Sequence, residues 1–363
     1  MMHNRMDVIG GEFSVTCQDF LLTEKSERSA WPEFVGKRSV RCDSGRSALL
    51  LAIQHWQREH SQCTDVWIPS YLCSSVSSVI RRAGLRVQVY QDAPGEVLSF
   101  NFPVPQEDDL VLVVHYFGHV NSRALRWLSG ESLRSWGVIE DCVQSPYSEG
   151  VGVVGDYAIT SLRKWWSAPD GATLHFQGGN WEPVLHEPDE GFVSRRLLAK
   201  LLRPLGQQAE GRHLALLAEA EAQLDESTVA RRASWVSEVL LATVDLYSMC
   251  QQRRQNWLRL ATALSAIGCS DRVLRPVNAE LASNVTPLAF PVRVEASYRD
   301  ALRLRLASRQ IFCPIHWAID EQGPAADLAR SMLSLPIDQR YNDDDMRVIV
   351  QEIAYFFDGS KHE

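Results

Sequence analysis

At 363 residues, with 45% apolar and 23% charged side chains, the chain has the make-up of an ordinary soluble globular protein and the length for two cores. A formal net charge of −8 argues against the basic face of a nucleic-acid binder, and no run approaches the ~18 uninterrupted apolar residues of a membrane span. The 8 cysteines are scattered without a Cys-x-x-Cys pair, and Met1 to Asp7 carry no apolar signal core, so free thiols in a reducing cytoplasm are expected.

Residues 1–40 read as an irregular arm with a turn at Gly10-Gly11-Glu12-Phe13. Cys42-Asp43-Ser44-Gly45-Arg46-Ser47 then runs straight into an apolar helix start at Ala48 to Ile53. A polar, glycine-containing turn opening a helix leaves backbone amides pointing outward, which makes an anion site. Asp65 to Pro69 is a predicted strand, Ser74 to Ala83 a helix, and Leu85 to Tyr90 a strand. Leu110 to Val114 is continuously apolar, as a central parallel strand is, and ends in His115-Tyr116-Phe117-Gly118. A helix over Ser122 to Ser135 leads to a buried strand at Val138-Ile139, which ends in Glu140-Asp141-Cys142-Val143-Gln144.

Strands and helices alternate from about residue 42 to 180, which predicts a doubly wound sheet with ligands at the carboxyl ends of its strands. His115, Asp141, Ser161 and Lys164 all fall at such ends. Residues 190–265 turn helical. Beyond Arg275-Pro276 come a strand over 285–292, a helix over Ala296 to Ser308, a short strand at Ile311-Phe312, Leu333 to Leu335, and a terminal helix over Asp343 to Phe357. The expected fold class is α/β: a three-layer sandwich around a mostly parallel sheet over residues 1–245, arm included, followed by a smaller α+β domain over 246–363.

The chemistry sits in two segments. An acid ending one strand, Asp141, and a Ser-x-x-Lys turn after another, Ser161-Leu162-Arg163-Lys164, are what a pyridoxal phosphate site requires. The lysine condenses with the aldehyde, the acid keeps the pyridine nitrogen protonated, and the serine reaches the phosphate. For Ser47 and Ser161, helix capping competes with phosphate binding. His115 and His119 stand four apart without a third ligand in register, which argues against a metal. Trp165-Trp166 reads equally as cleft wall or apolar plug. Cys313 and His316 read as packing or substrate-cleft residues.

In this order the motifs resemble the DegT/DnrJ/EryC1/StrS sugar aminotransferases, of the aspartate-aminotransferase fold (PLP fold type I). Gly10-Gly11-Glu12-Phe13 is similar to the family's opening and Ser44-Gly45-Arg46-Ser47-Ala48-Leu49 to its Asn-Gly-Thr-x-Ala-Leu turn. Ile68-Pro69-Ser70-Tyr71 resembles its Pro-Ser/Ala segment, and His115-Tyr116-Phe117-Gly118 its His-Leu-Tyr-Gly. Glu140-Asp141-Cys142-Val143-Gln144 matches Glu-Asp-x-Ala-Gln, and Ser161 to Gly171 its serine-lysine-glycine run. The resemblance implies pyridoxal 5'-phosphate as cofactor, with Lys164 and Asp141 catalytic and Gln144 against the cofactor ring or its hydroxyl. Gly45, Arg46, Ser47 and Ser161 would hold the phosphate, and His115 would wall the site. It also implies a homodimer that moves an amino group from glutamate or glutamine to a keto sugar on a nucleotide, in polysaccharide or secondary-metabolite synthesis.

Several positions depart from the pattern. Ser161 stands closer to the lysine than the family's serine does, and Ala172 replaces a glycine. Cys73 occupies the place of an aromatic that stacks on the cofactor, with Tyr71 nearby as a substitute. The family's dimer-crossing Gly-x-Asn-x-Arg segment is not found; Arg253-Arg254-Gln255-Asn256-Trp257 is the candidate replacement. These departures keep open a catalytically silent partner or regulatory subunit, or a PLP enzyme with another substrate class.

Overall fold

The computed structural model describes residues 8–20, 29–95, 101–131, 133–179, 181–205, 211–267, 274–319 and 322–359. In chain order its elements begin with β1 (Ile9–Gly10), β2 (Arg38–Cys42), α1 (Gly45–Glu59), β3 (Asp65–Pro69), α2 (Ser74–Arg82) and β4 (Arg86–Tyr90). Next come β5 (Leu110–Val114), α3 (Ser122–Gly130), β6 (Gly137–Asp141), β7 (Tyr157–Ile159) and β8 (Ala172–Phe176). Four helices follow: α4 (Glu190–Leu202), α5 (Arg212–Glu226), α6 (Trp235–Ala242) and α7 (Leu246–Ala266). The remainder is β9 (Leu274–Pro276), β10 (Phe290–Val294), α8 (Ala296–Ser308), β11 (Ile311–Phe312), α9 (Pro324–Ser331), β12 (Met332–Leu335) and α10 (Asp343–Gly359).

A seven-stranded sheet in the order β2-β8-β7-β6-β5-β3-β4 organises the first two-thirds of the chain, and β8 alone runs against the rest. Every residue of β5, β6, β7 and β8 is buried, as parallel strands covered on both faces must be. Helix α1 starts where the polar turn predicts. The Ser44 hydroxyl accepts from the Ser47 amide at 3.2 Å, and Ala48, Leu49, Leu51, Ala52 and Ile53 then bury one face against the sheet. Each such Leu or Ile contributes about 1.5–3 kcal/mol by leaving water.

A second apolar core lies around β9, β10 and β12, an antiparallel sheet flanked by α7, α8 and α10. Helix α7 serves both regions, since Met249 packs beside Trp165 while Trp257, Leu260 and Leu264 enter the second core. The N-terminal arm is less irregular than expected and touches both regions: Glu12 pairs with Lys200 of α4. Its β1 pairs in parallel with β11, and Ile9 packs in the second core. Gly10 makes that approach possible: its φ is +83°, and a Cβ there would lie 2.1 Å from the Phe312 carbonyl oxygen.

Two predicted boundaries move. Helix α3 ends at Gly130 rather than Ser135, the residue type with the weakest hold on helical geometry. The strand predicted over 285–292 forms only from Phe290 to Val294, because the preceding backbone is engaged elsewhere. The Thr286 amide donates to Ser148 Oγ (3.0 Å) and the Leu288 amide to the Phe117 carbonyl (3.0 Å). Among the described residues no helix is long and apolar enough to cross a membrane.

Candidate active site

The predicted site residues gather at one edge of the large sheet. His115 follows β5, Asp141 ends β6, and Ser161 and Lys164 lie in the turn after β7. Gly45, Arg46 and Ser47 open α1, while Tyr71 and Cys73 lie between β3 and α2. The lysine turn is pinned from both sides. Leu162 donates its amide to Gly171 O at 2.9 Å, and Trp165 donates its indole N–H to Val143 O at 3.1 Å, which ties the turn to the loop carrying Asp141.

Asp141 is buried, and its only hydrogen-bond donor among the described residues is the Val143 amide at 3.0 Å. Burial pushes its carboxyl above the ordinary range, while the Val143 N–H, Lys164 and His115 pull it back. Burial likewise lowers the Lys164 ammonium, against the opposing pull of Cys73 and Asp141. Acid and amine therefore face each other electrostatically, each destabilised in its charged form. Gln144 is buried beside them. Its Oε1 accepts from the Phe117 amide at 2.8 Å, and its Nε2 has no partner among the described residues.

The helix-opening turn keeps some donors and loses one. The first amides of α1, from Gly45 and Arg46, have no intrahelical partner, and Ser161 is buried without a capping bond. The Arg46 guanidinium, however, turns to α5 and pairs with Glu221 (3.2 Å) and Asp225 (2.8 Å). Asp43 is buried beneath the turn, hydrogen-bonded by Ser44 at 2.9 Å, and burial raises its carboxyl to about 6.

Three sequence expectations change. His115 does not wall a cavity: it is fully buried, with Nδ1 accepting from the Asn121 amide (3.0 Å) and Nε2 against Glu140 (2.8 Å). Cys73 is half-buried at the start of α2 with its sulfur 3.1 Å from Ser75 Oγ, and the aromatics facing the site are Tyr71 and Trp317 instead. Those rings lie 5.7 Å apart, and Lys164 Nζ lies 5.8 Å from the Trp317 ring. The Arg253 to Trp257 segment, the candidate for the dimer-crossing role, packs much of its surface within its own chain. Asn256 Nδ2 donates to the carbonyls of Ile337, Asp338 and Tyr341, and Trp257 is buried in the second core. Trp165 and Trp166 are both buried in a cluster with Trp31 and Leu241, so they act as plugs.

Glu140, one residue before Asp141, has its carboxylate filled by the amides of Gly152 (2.7 Å), Val154 (2.7 Å) and Gly155 (2.6 Å) besides His115. Burial would raise this carboxyl, but His115 and the Gly155 amide outweigh it and hold it low. His115, Glu140 and Cys142 lie close enough to suggest a metal set. Both imidazole nitrogens and the carboxylate are already committed, so the cluster is structural.

Lys164 opens on its other side into a cavity of about 440 Å³ between the lysine turn, the N-terminal arm, α7 and the second sheet. Arg163, Arg196, Arg253 and Arg340 line it with Lys164, and three acids stand among them: Glu12, Glu221 and Asp338. Most of these charges are paired. Glu12 meets Arg196 (3.2 Å) and Lys200 (3.0 Å), Glu221 meets Arg196 (2.7 Å) and Arg163 (2.5 Å), and Asp338 meets Arg340 (2.7 Å). Burial would raise the Glu12 carboxyl, but Lys200 and Arg196 pull it down to about 2. His316 also faces this space, and burial together with Lys164 lowers its imidazole to about 3, so it is neutral near pH 7. No local pattern in the sequence marks this network, whose members come from residues 12, 163, 196, 200 and 221.

No family model matches the chain, and no curated protein does. Solved structures do resemble it. TlmJ, an aminotransferase from Streptoalloteichus hindustanus, superposes at a TM-score of 0.62 with 20% identity, over 89% of this chain and 86% of TlmJ. Spr1654 from Streptococcus pneumoniae, described as a sugar aminotransferase and captured in its PLP form, gives a TM-score of 0.64 at 12% identity over 95% and 97% of the two chains. A DegT DnrJ EryC1 StrS aminotransferase from Brucella abortus gives 0.56 at 16% identity over 88% and 86%. The chain has the fold of these aminotransferases. That PLP fold type I architecture is the predicted one: a mostly parallel sheet between helices, followed by a smaller α+β region.

Proposed function

We propose that the chain is a pyridoxal phosphate-dependent aminotransferase. It would move an amino group from an amino-acid donor, glutamate or glutamine, to a keto sugar carried on a nucleotide, as a cytoplasmic homodimer in polysaccharide or secondary-metabolite synthesis. The observation that carries this reading is the juxtaposition of Lys164 with the under-donated acid Asp141, beside an unpartnered Gln144 amide. The sugar acceptor rests on likeness alone, to proteins such as DesI, solved with its TDP-sugar product.

The residues suit the cofactor's groups one by one. A buried carboxylate whose charge is disfavoured is stabilised by a ring cation, and the charge-assisted bond is worth about 1.5–3 kcal/mol. The unpartnered Nε2 of Gln144 suits an anionic ring oxygen. Ser161 Oγ and the first amides of α1 suit a phosphate, favoured by the helix N-terminus. When bound, the cofactor supplies an electron sink for charge developing next to the transferred nitrogen. Burial raises the neutral fraction of Lys164, so its Nζ can take a proton from one carbon and return it to another.

Borohydride treatment followed by peptide mass spectrometry tests the reading. The protein should be yellow, with absorbance near ~420 nm that borohydride bleaches, and the reduced adduct should map to Lys164. A protein that stays colourless with added cofactor, or an adduct on another lysine, overturns it. The colourless outcome would favour a silent subunit of the same fold.

A further inference from the structure

Asp43 is an acid placed next to donors that suit an anion. It stands just before the turn that opens α1, and only 3% of its surface is exposed. Its backbone is held on both sides: the amide donates to the Arg231 carbonyl at 3.0 Å, and the carbonyl accepts from the Gly171 amide at 2.7 Å. A Cβ added to Gly45 would lie 3.7 Å from Ser161 Cβ, so the first amides of α1 adjoin the Ser161 turn. These are the donors that suit a phosphate.

No cation of the turn is left to offset a second negative charge. Arg46 pairs with Glu221 and Asp225, and Arg163 pairs with Glu221. Among the groups around Asp43, Asp170 adds repulsion, Arg163 partly offsets it, and the neighbouring Cys42 thiol is itself pushed up by burial and by Asp43. A phosphate arriving here meets an ionised carboxylate where little water screens the two.

A proton removes that repulsion, and the hydrogen bonds decide which acid takes it. Asp170 accepts from the Ser234 amide at 2.9 Å as well as from Ser234 Oγ at 2.8 Å. An amide N–H cannot turn round to accept. Asp43 faces hydroxyls instead: Ser44 Oγ lies 2.9 Å from its Oδ1 and 3.3 Å from Ser47 Oγ. A hydroxyl can rotate and accept from a protonated carboxyl. Burial already raises the Asp43 carboxyl to about 6, against the pull of the Ser47 and Ser44 hydroxyls.

We infer that Asp43 takes a proton from solvent when a phosphate monoester binds at the opening of α1, so that this turn holds phosphate more tightly as the pH falls. The inference rests on the proposed placement of the cofactor's phosphate; the proton link is a property of Asp43 and its neighbours. Above about pH 6 the empty site is ionised and binding must draw the proton in, whereas below that pH the proton is already there.

Calorimetric titration of the full-length protein, in two buffers of different ionisation heat, counts the protons taken up. Pyridoxamine 5'-phosphate is one probe, because it carries the phosphate without an aldehyde. Sulfate is the other, a dianion of the same shape whose charge is fixed across the neutral range. At about pH 7 the wild type should take up roughly 0.5–1 proton per sulfate bound, and its affinity should fall about five- to tenfold between about pH 6 and about pH 7.5. Asp43→Asn should bind sulfate with no uptake and a flat profile, while Asp170→Asn should keep most of both effects. Wild-type protein that binds sulfate with no uptake and a flat profile overturns the inference, even if the variants fail to fold. Uptake that survives in a folded Asp43→Asn variant overturns it as well. If sulfate binds with its Asp43-dependent proton and pyridoxamine 5'-phosphate does not bind, the inference stands and the aminotransferase reading falls. Pyridoxamine 5'-phosphate bound without that proton would do the reverse, and binding of neither probe at any pH sinks both.

Discussion

Glu140 and Asp141 are neighbours on β6, yet alternation along a strand sends their side chains to opposite faces. Around Glu140 each hydrogen-bonding group is matched: three amides and an imidazole fill one carboxylate. On the Lys164 side the matching is left incomplete at Gln144 Nε2 and Arg253 Nη2, and Asp141 has a single donor. One face of the strand holds the fold together; the other withholds partners that a ligand can supply. A buried polar group is normally paired, so open groups beside a lysine and a buried acid are where a ligand can supply the partners.

Substitutions on the two faces should therefore fail differently. Lys164→Ala should leave the melting temperature near wild type while cutting transamination by roughly a thousandfold or more and abolishing the borohydride adduct. Glu140→Ala should do the opposite. Losing the acceptor strands three amides and His115, and chemical denaturation should register a loss of about 3–5 kcal/mol, as when one partner of a buried pair is removed. Equal damage to stability from both would erase the distinction.

Asp43 sharpens the comparison through pH. Its folded pKa of about 6 lies above the ordinary ~4 of an unfolded aspartate, so its contribution is fully present below pH ~4 and is lost as pH rises to about 6. The total change across that window amounts to about 3 kcal/mol, and Asp43→Asn should flatten it relative to wild type in denaturation measured from pH 4 to 7. Smallest is Asp141→Ala, expected to lower turnover by roughly 10–100-fold, the equivalent of the ~1.5–3 kcal/mol of one charge-assisted bond. Turnover within a few-fold of wild type would remove Asp141 from the mechanism.

The large sheet is legible in the sequence because its information is local. Leu110 to Val114 is apolar throughout, and polar residues begin where the strands end, so Asp141 and Lys164 could be placed at one sheet edge. What stays hidden is what pairs across distance. The reversal of β8 depends on its neighbours β2 and β7, not on Ala172 to Phe176 themselves. His115 looks like a site residue because it follows a strand, and only tertiary contacts with Asn121 and Glu140 show it committed. The Arg253 segment is equally deceptive: its polar residues suggest an exposed contact, whereas α7 buries Arg253, Asn256 and Trp257 on the inward side of one helix.

The docking of the N-terminal arm sets a timetable for synthesis. Gly10 donates its amide to Tyr341 Oη at 2.6 Å, Arg340 donates to the Glu12 carbonyl at 3.0 Å, and β1 lies against β11. A ribosome must deliver more than three hundred further residues after the arm before those contacts can form. This early strand therefore pairs only after most of the chain has been made, and the wall it supplies to the cavity comes with that late pairing.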